Sequence, residues 1–242
     1  LRPILLDGGL GTTLMTRGLP PATSAGAWAL AHENDLAAVH RAFRDAGAEV
    51  ACTATLRCVS GGDDDPEGVV AVAVRAARST GAAVFGSLGP VGPGRPRDWE
   101  EAARRLAAHD VRDVVLETFV DPDELVAAAR SARRAPVRVL IASVVPSADG
   151  RAWDGRALDV ALAPVVDLVD GVGVNCATPA ACAAALDALD RLGLPLWCKP
   201  SRAAGDVDWA RDVARLAPRV RWLGGCCGAD PASIAALREA LA

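Results

Sequence analysis

The sequence predicts a single α/β domain, a (β/α)8 TIM barrel spanning residues 1–242, and three observations point there. Short runs rich in β-branched residues and leucine recur along the chain, and each gives way to a longer amphipathic stretch of Ala, Arg and Leu. Eight such runs share the 242 residues, which leaves roughly 30 residues per strand and helix, the size of a βα unit. No Pro-rich or Ser-rich linker divides the chain.

In order, the strand-like runs lie near 3–6, 49–53, 82–86, 113–117, 137–142, 168–174, 194–199 and 220–224. The helical patterns between and after them cover 35–46, 67–79, 99–109, 123–132, 179–192, 207–216 and 231–241, with a weaker connection at 157–163. Asp121, Thr178 and Asp230 each precede a proline, which places an N-cap acceptor before a residue whose missing N–H costs nothing at the first helical position. Gly47, Gly81 and Gly193 follow helical patterns and serve as stops. Gly61-Gly62-Asp63-Asp64-Asp65 reads as a solvated loop. The stretch from Gly89 to Gly94 reads as a rigid turn, because Pro90 and Pro93 remove two N–H donors that a phosphate loop needs.

Composition narrows the function. At 51% hydrophobic and 23% charged the chain has the makeup of a soluble globular protein with a sizeable core. Its formal net charge of −4 provides no electropositive field for nucleic acid. No 18-residue apolar run exists to cross a membrane, and Asp7 interrupts the N-terminal apolar run too early for a signal peptide, so the expected location is the cytoplasm. The expected partners are small molecules; the sequence does not specify an oligomeric state. Seven cysteines are an odd number, and adjacent Cys226 and Cys227 fit a disulfide framework poorly. In a reducing compartment such thiols are core residues, nucleophiles or metal ligands.

In a (β/α)8 barrel the C-terminal ends of all eight strands face one mouth. The residues falling there include Asp7-Gly8-Gly9, Thr53-Ala54-Thr55, Glu117-Thr118, Asn175-Cys176, Lys199-Pro200-Ser201 and Cys226-Cys227. Three thiols and two carboxylates therefore converge. Three thiolates with a fourth position open suit a catalytic zinc ion, although an adjacent cysteine pair by itself is more often structural. Such an electron-rich ion is a poor generator of hydroxide. It is better suited to holding a substrate thiol in its deprotonated, nucleophilic form, and a sulfur nucleophile calls for an electrophile such as an activated methyl group.

The segments Leu6-Asp7-Gly8-Gly9-Leu10-Gly11-Thr12, Glu33-Asn34-Asp35-Leu36 with His40 and Asp45-Ala46-Gly47-Ala48, Gly86-Ser87-Leu88-Gly89-Pro90, Glu117-Thr118, Gly173-Val174-Asn175-Cys176 and Gly224-Gly225-Cys226-Cys227-Gly228 resemble the homocysteine S-methyltransferase family, in the same order and over the whole chain. The resemblance implies a zinc-dependent barrel in which Cys176, Cys226 and Cys227 hold Zn2+ and the ion receives homocysteine sulfur. It also implies that Asp7 and Glu117, the expected catalytic residues, hold the substrate ammonium, that backbone N–H groups around Gly8, Gly9 and Thr53 receive its carboxylate, and that Asn175 joins them in binding substrate. Ala54 and Ser201 stand where many members carry Asn. Betaine-using members have an aromatic residue where this chain has Arg57, and the sequence contains no Tyr for a cation–π box. A sulfonium donor, S-methylmethionine or S-adenosylmethionine, is therefore the expected methyl source, the acceptor being homocysteine or a related thiol or selenol amino acid, with methionine as product.

The alternatives are a non-catalytic zinc- or thiol-binding barrel, and a homocysteine module that receives its methyl group from a partner corrinoid protein. Cys52, Cys58, Cys182 and Cys198 are expected in the core or loops. His32, His40 and His109 are expected on helix surfaces or in packing, and Trp28 and Trp197 are candidates to border the mouth.

Overall fold

The structure, a computed structural model, describes residues 2–59, 65–91 and 98–242. Residues 61–64 of the expected solvated loop and 92–94 of the expected rigid turn lie outside the described residues. Eight strands appear in the expected places: β1 (Ile4–Leu5), β2 (Val50–Cys52), β3 (Ala83–Leu88), β4 (Asp113–Phe119), β5 (Val139–Val144), β6 (Gly171–Asn175), β7 (Leu196–Lys199) and β8 (Trp222–Leu223). All the pairings are parallel, and the strands run in order from β2 through β8 to β1. A bridge between Leu6 and Val50 joins the two edges, so the sheet closes into the expected (β/α)8 barrel.

The helices are α1 (Leu10–Met15), α2 (Ala25–Ala29), α3 (Glu33–Asp45), α4 (Pro66–Arg78), α5 (Trp99–Ala108), α6 (Pro122–Ala132), α7 (Leu158–Leu162), α8 (Pro179–Leu189), α9 (Trp209–Ala214) and α10 (Pro231–Ala240). The three expected caps form: the side chains of Asp121, Thr178 and Asp230 accept from the N–H groups of Asp123, Ala181 and Ser233. Asp65, from the acidic run, caps α4 in the same way. Gly47, Gly81 and Gly193 all adopt positive φ after their helices, as stops require. Two elements are additions to the sequence reading. Both α1 and α2, five or six residues each, lie between β1 and α3, where no amphipathic period is long enough to reveal them. Among the described residues no helix is long and apolar enough to cross a membrane.

Strand periodicity explains where the site sits. Successive side chains alternate between the barrel interior and the surrounding helices. Outward residues such as Leu88, Leu116, Leu140, Val172 and Cys198 pack in the main core. Inward residues Leu6, Val50, Phe85, Val115, Ile141, Trp197 and Trp222 fill the barrel as a separate cluster. Its aromatic rings touch, with centroids 5.6 Å apart for Phe85 and Trp197 and 6.1 Å for Trp197 and Trp222. Gly173 of β6 makes room for this layer, since a Cβ there would lie 2.1 Å from the Trp197 carbonyl oxygen. Trp197 does not border the mouth: it is fully buried in this floor, and the inward position two residues later belongs to Lys199. Trp28 is half-buried on α2, stacked on His32.

One step closer to the strand C-termini the inward residues are Cys52, Ser87, Glu117, Ser143, Asn175 and Lys199, all buried. An apolar floor thus carries a polar layer, and the cavity opens above it.

Candidate active site and metal centre

A cavity of about 230 Å³ occupies the mouth, and its walls include Asp7, Gly8, Gly9, Thr53, Glu117, Cys176, Cys226 and Cys227. Eight of the nine residues singled out from the sequence therefore meet in one place. The ninth, Asn175, is fully buried just behind the wall.

Cys176 follows β6, while Cys226 and Cys227 follow β8, and the three Sγ atoms lie within 4.8 Å of one another. Cys176 and Cys227 sulfurs are 3.5 Å apart. Tetrahedral Zn–S bonds of about 2.3 Å would set neighbouring sulfurs about 3.8 Å apart, so this spacing suits one cation. Electrostatics agree. Without a cation the Cys226 thiol is pushed up to about 12, chiefly by its hydrogen bond with Cys176, with burial and the nearby Cys176 and Glu117 adding to the shift. Three thiolates cannot share this corner unless a positive ion neutralises them, and a soft donor set of this kind selects a thiophilic metal.

The backbone holds the sulfurs in place. Cys176 has φ +60°, a left-handed conformation costly for a side-chain-bearing residue, and its N–H donates to the Lys199 carbonyl. The Cys226 N–H donates to Pro200 O at 2.9 Å, and Cys227 O accepts from Arg202 N at 2.8 Å, so the loop after β8 leans on the loop after β7. Gly228 completes the turn at φ +78°, where a Cβ would lie 2.1 Å from the Arg202 carbonyl oxygen. Asn175 braces the same corner: its Oδ1 accepts from Ser143 Oγ at 2.7 Å and Thr118 N at 3.1 Å, and its Nδ2 lies 3.9 Å from Cys226 Sγ.

Across the cavity, Asp7 is 1% exposed and already engaged. Its Oδ1 accepts from Lys199 Nζ and its Oδ2 from Cys52 N, both at 2.7 Å. Burial alone would lower the Lys199 pKa. Asp7 above all, then Cys52, Glu117 and Cys226, outweigh it and hold the ammonium well above the ordinary lysine value. Glu117 accepts a short hydrogen bond from Ser87 Oγ, and a chain of contacts through Ser87, Thr53 and Thr55 fixes that side of the rim. Of the amides expected to receive a carboxylate, Gly9 N donates to Ala229 O at 2.8 Å and Thr53 N to Phe85 O at 2.9 Å, while Gly8 N has no backbone acceptor among the described residues.

Lys199, Ser87, Ser143 and Thr118 are the site residues to which the sequence assigned no role. Inward parity, counted from Phe85, Ile141 and Trp197, would have indicated the first three. The remaining thiols, Cys52, Cys58, Cys182 and Cys198, are all buried, as expected. His40 is buried within α3, and His109 pairs with Glu67 on the surface.

Comparison with known proteins places this geometry. The sequence model described as Homocysteine S-methyltransferase matches residues 4–241. The homocysteine methyltransferase MmuM from Escherichia coli, in its metallated form, aligns with a TM-score of 0.81 at 26% identity over 99% of this chain and 96% of that one. Its oxidized form gives 0.82 at 25% identity over 98% and 95%. Tryptophan synthase subunit alpha from Legionella pneumophila, 14% identical with a TM-score of 0.52 over 99% and 92%, shares the fold alone. No curated protein matches the sequence. With nearly its whole length matched and the barrel closed around a three-cysteine corner, the chain belongs to the homocysteine S-methyltransferase family, enzymes that methylate homocysteine.

Proposed function

We propose that the protein is a zinc-dependent S-methyltransferase that moves a methyl group from a sulfonium donor, S-methylmethionine or S-adenosylmethionine, to the sulfur of homocysteine, giving methionine. The observation that carries this reading is the convergence of Cys176, Cys226 and Cys227 sulfurs within 4.8 Å at the rim of a cavity that also holds two carboxylates. Bound by these thiolates, Zn2+ would offer an open position at which a substrate thiol loses its proton.

The protein's own residues bind and orient. Glu117, held by Ser87, faces the acceptor's ammonium from the β4 side, while Asp7, ion-paired with Lys199, lines the β1 side. The Gly8 N–H is available to the acceptor's carboxylate. The apolar floor of Phe85, Trp197 and Trp222 closes the cavity from below and keeps water from that side. Methyl transfer is then an in-line displacement: a sulfur lone pair of the acceptor forms the new S–C bond while the donor's C–S bond breaks, and its electron pair turns the sulfonium into a neutral thioether. No histidine base is required, which agrees with the absence of histidine from the cavity wall among the described residues.

The test is a donor panel assayed against homocysteine with stoichiometric zinc. Methionine formed from a sulfonium donor, and not from betaine, is the expected result. Tight thiol binding without transfer from any donor would leave the binding-barrel alternative standing, and transfer only from a methylated corrinoid protein would make the chain an acceptor module.

A further inference from the structure

Lys199 has no part in the scheme above, yet it is a buried cation in the cavity wall. We infer that Lys199 is a specificity-determining residue whose ammonium anchors the α-carboxylate of the acceptor amino acid, across the cavity from Glu117, which takes the acceptor's ammonium. The inference rests on the acceptor being homocysteine.

Donor bookkeeping comes first. A lysine ammonium has three N–H donors. One is committed to Asp7 Oδ1 at 2.7 Å, and a second meets only the weak acceptor Cys52 Sγ at 3.7 Å. The third has no acceptor among the described residues. A carboxylate, in turn, offers about four lone-pair sites and is costly to bury unless they are filled. Three amides near it are already spent: Gly9 N, Thr53 N and Cys52 N donate to Ala229 O, Phe85 O and Asp7 Oδ2. Of the amides expected to receive it, Gly8 N is left, and a neutral amide brings no charge to offset the buried carboxylate. The Lys199 ammonium in the cavity wall supplies a charge-assisted bond.

The charge pattern points the same way. Asp7 and Lys199 cancel as a pair, which leaves Glu117 as the carboxylate on the wall without a cation among the described residues. An amino acid zwitterion laid across this rim places its ammonium at Glu117 and its carboxylate at Lys199. A thiol lacking either charge would leave the opposing protein group desolvated and unpaired.

The test compares homocysteine with 3-aminopropane-1-thiol, the same molecule without its carboxylate, in wild type and in Lys199→Met, reading Kd by calorimetry and KM in turnover. Lys199→Met is expected to lower the preference for homocysteine by about tenfold or more, with little change for 3-aminopropane-1-thiol. Weakening of both thiols by one factor would overturn the inference and reduce Lys199 to a brace for Asp7. Loss of the preference in Arg57→Gln, but not in Lys199→Met, would move the anchor to the exposed guanidinium at the rim. Should Lys199→Met fail to fold because Asp7 is left buried without its cation, Asp7→Asn with Lys199→Met removes both charges, and the ratio between the two thiols still reports the anchor. Wild type that methylates homocysteine with this ratio unmoved in the variant refutes the Lys199 role alone. Wild type that binds neither thiol refutes the acceptor as well.

Discussion

Asn175 clamps Thr118 across the barrel mouth: its Oδ1 accepts from the Thr118 N–H at 3.1 Å and its Nδ2 donates to the Thr118 hydroxyl at 2.9 Å. Thr118 needs the clamp, because a β-branched residue at φ +69° is strained, and the strained turn sits directly after Glu117. Replacing Asn175 by Ala would strand the Thr118 N–H and the Ser143 hydroxyl in the interior. A stability loss of about 2–4 kcal/mol is expected, measured by urea unfolding. The same variant should also bind zinc more weakly, because the amide that packs against Cys226 is gone; unchanged zinc affinity in a destabilised protein would confine Asn175 to a structural role.

The sulfur corner gives the most direct test of the metal. Cys226→Ser replaces the most buried of the three candidate ligands by a harder and poorer one. Zinc affinity, measured by chelator competition, is expected to fall by more than about 100-fold, beyond the usual cost of losing an outer partner, and methionine formation should fall with it. Full turnover in a zinc-free Cys226→Ser protein would reject the mechanism.

Glu117 and Ser87 should act as one unit on the acceptor's ammonium. Glu117→Gln is expected to raise KM for homocysteine by about tenfold or more while sparing 4-mercaptobutanoate, which has no ammonium to recognise. Ser87→Ala, which removes one hydrogen bond to the carboxylate, should do the same at about fivefold. Equal losses for both thiols in Glu117→Gln would show that the carboxylate shapes the cavity without touching the amino group.

The barrel was legible because its period is local. Alternation within a strand and the Asp-Pro or Thr-Pro helix starts are properties of neighbouring residues, and each of the eight expected runs overlaps a strand. The sulfur corner was legible for a related reason: once strand ends share a mouth, Cys176 and Cys226 must meet there despite the 49 residues between them. Pairings were not legible. Asp7 and Lys199 are 192 residues apart, and although strand parity turns Lys199 inward, nothing in the sequence around it says that its ammonium pairs with Asp7. Trp197 was misplaced by the same limit, since proximity to a strand's end does not fix which inward layer a side chain joins. The helices α1 and α2 escaped notice because stretches of five or six residues carry too little period to read.

His40 offers a stability test independent of catalysis. It lies 1% exposed on the inner face of α3, and neither ring nitrogen has a hydrogen-bond partner among the described residues. Burial lowers its pKa from 6.5 to about 4, with Asp7 opposing and Lys199 reinforcing the shift. The folded protein therefore keeps the imidazole neutral at acidities where the unfolded chain has already protonated it. Above pH 6.5 both states are neutral and the residue adds no pH dependence; as the pH falls from 6.5 towards 4 the unfolded state binds the extra proton and stability drops, by about 3 kcal/mol over the whole window. His40→Leu fills similar space without a titrating group and leaves no unpaired ring nitrogen behind. Urea unfolding at pH 7 and pH 4.5 should show the variant losing much less stability between the two conditions than wild type does. Parallel pH slopes in the two proteins would mean that the folded state admits the proton near its ordinary pKa, and that the pocket around His40 opens to water more readily than its burial implies.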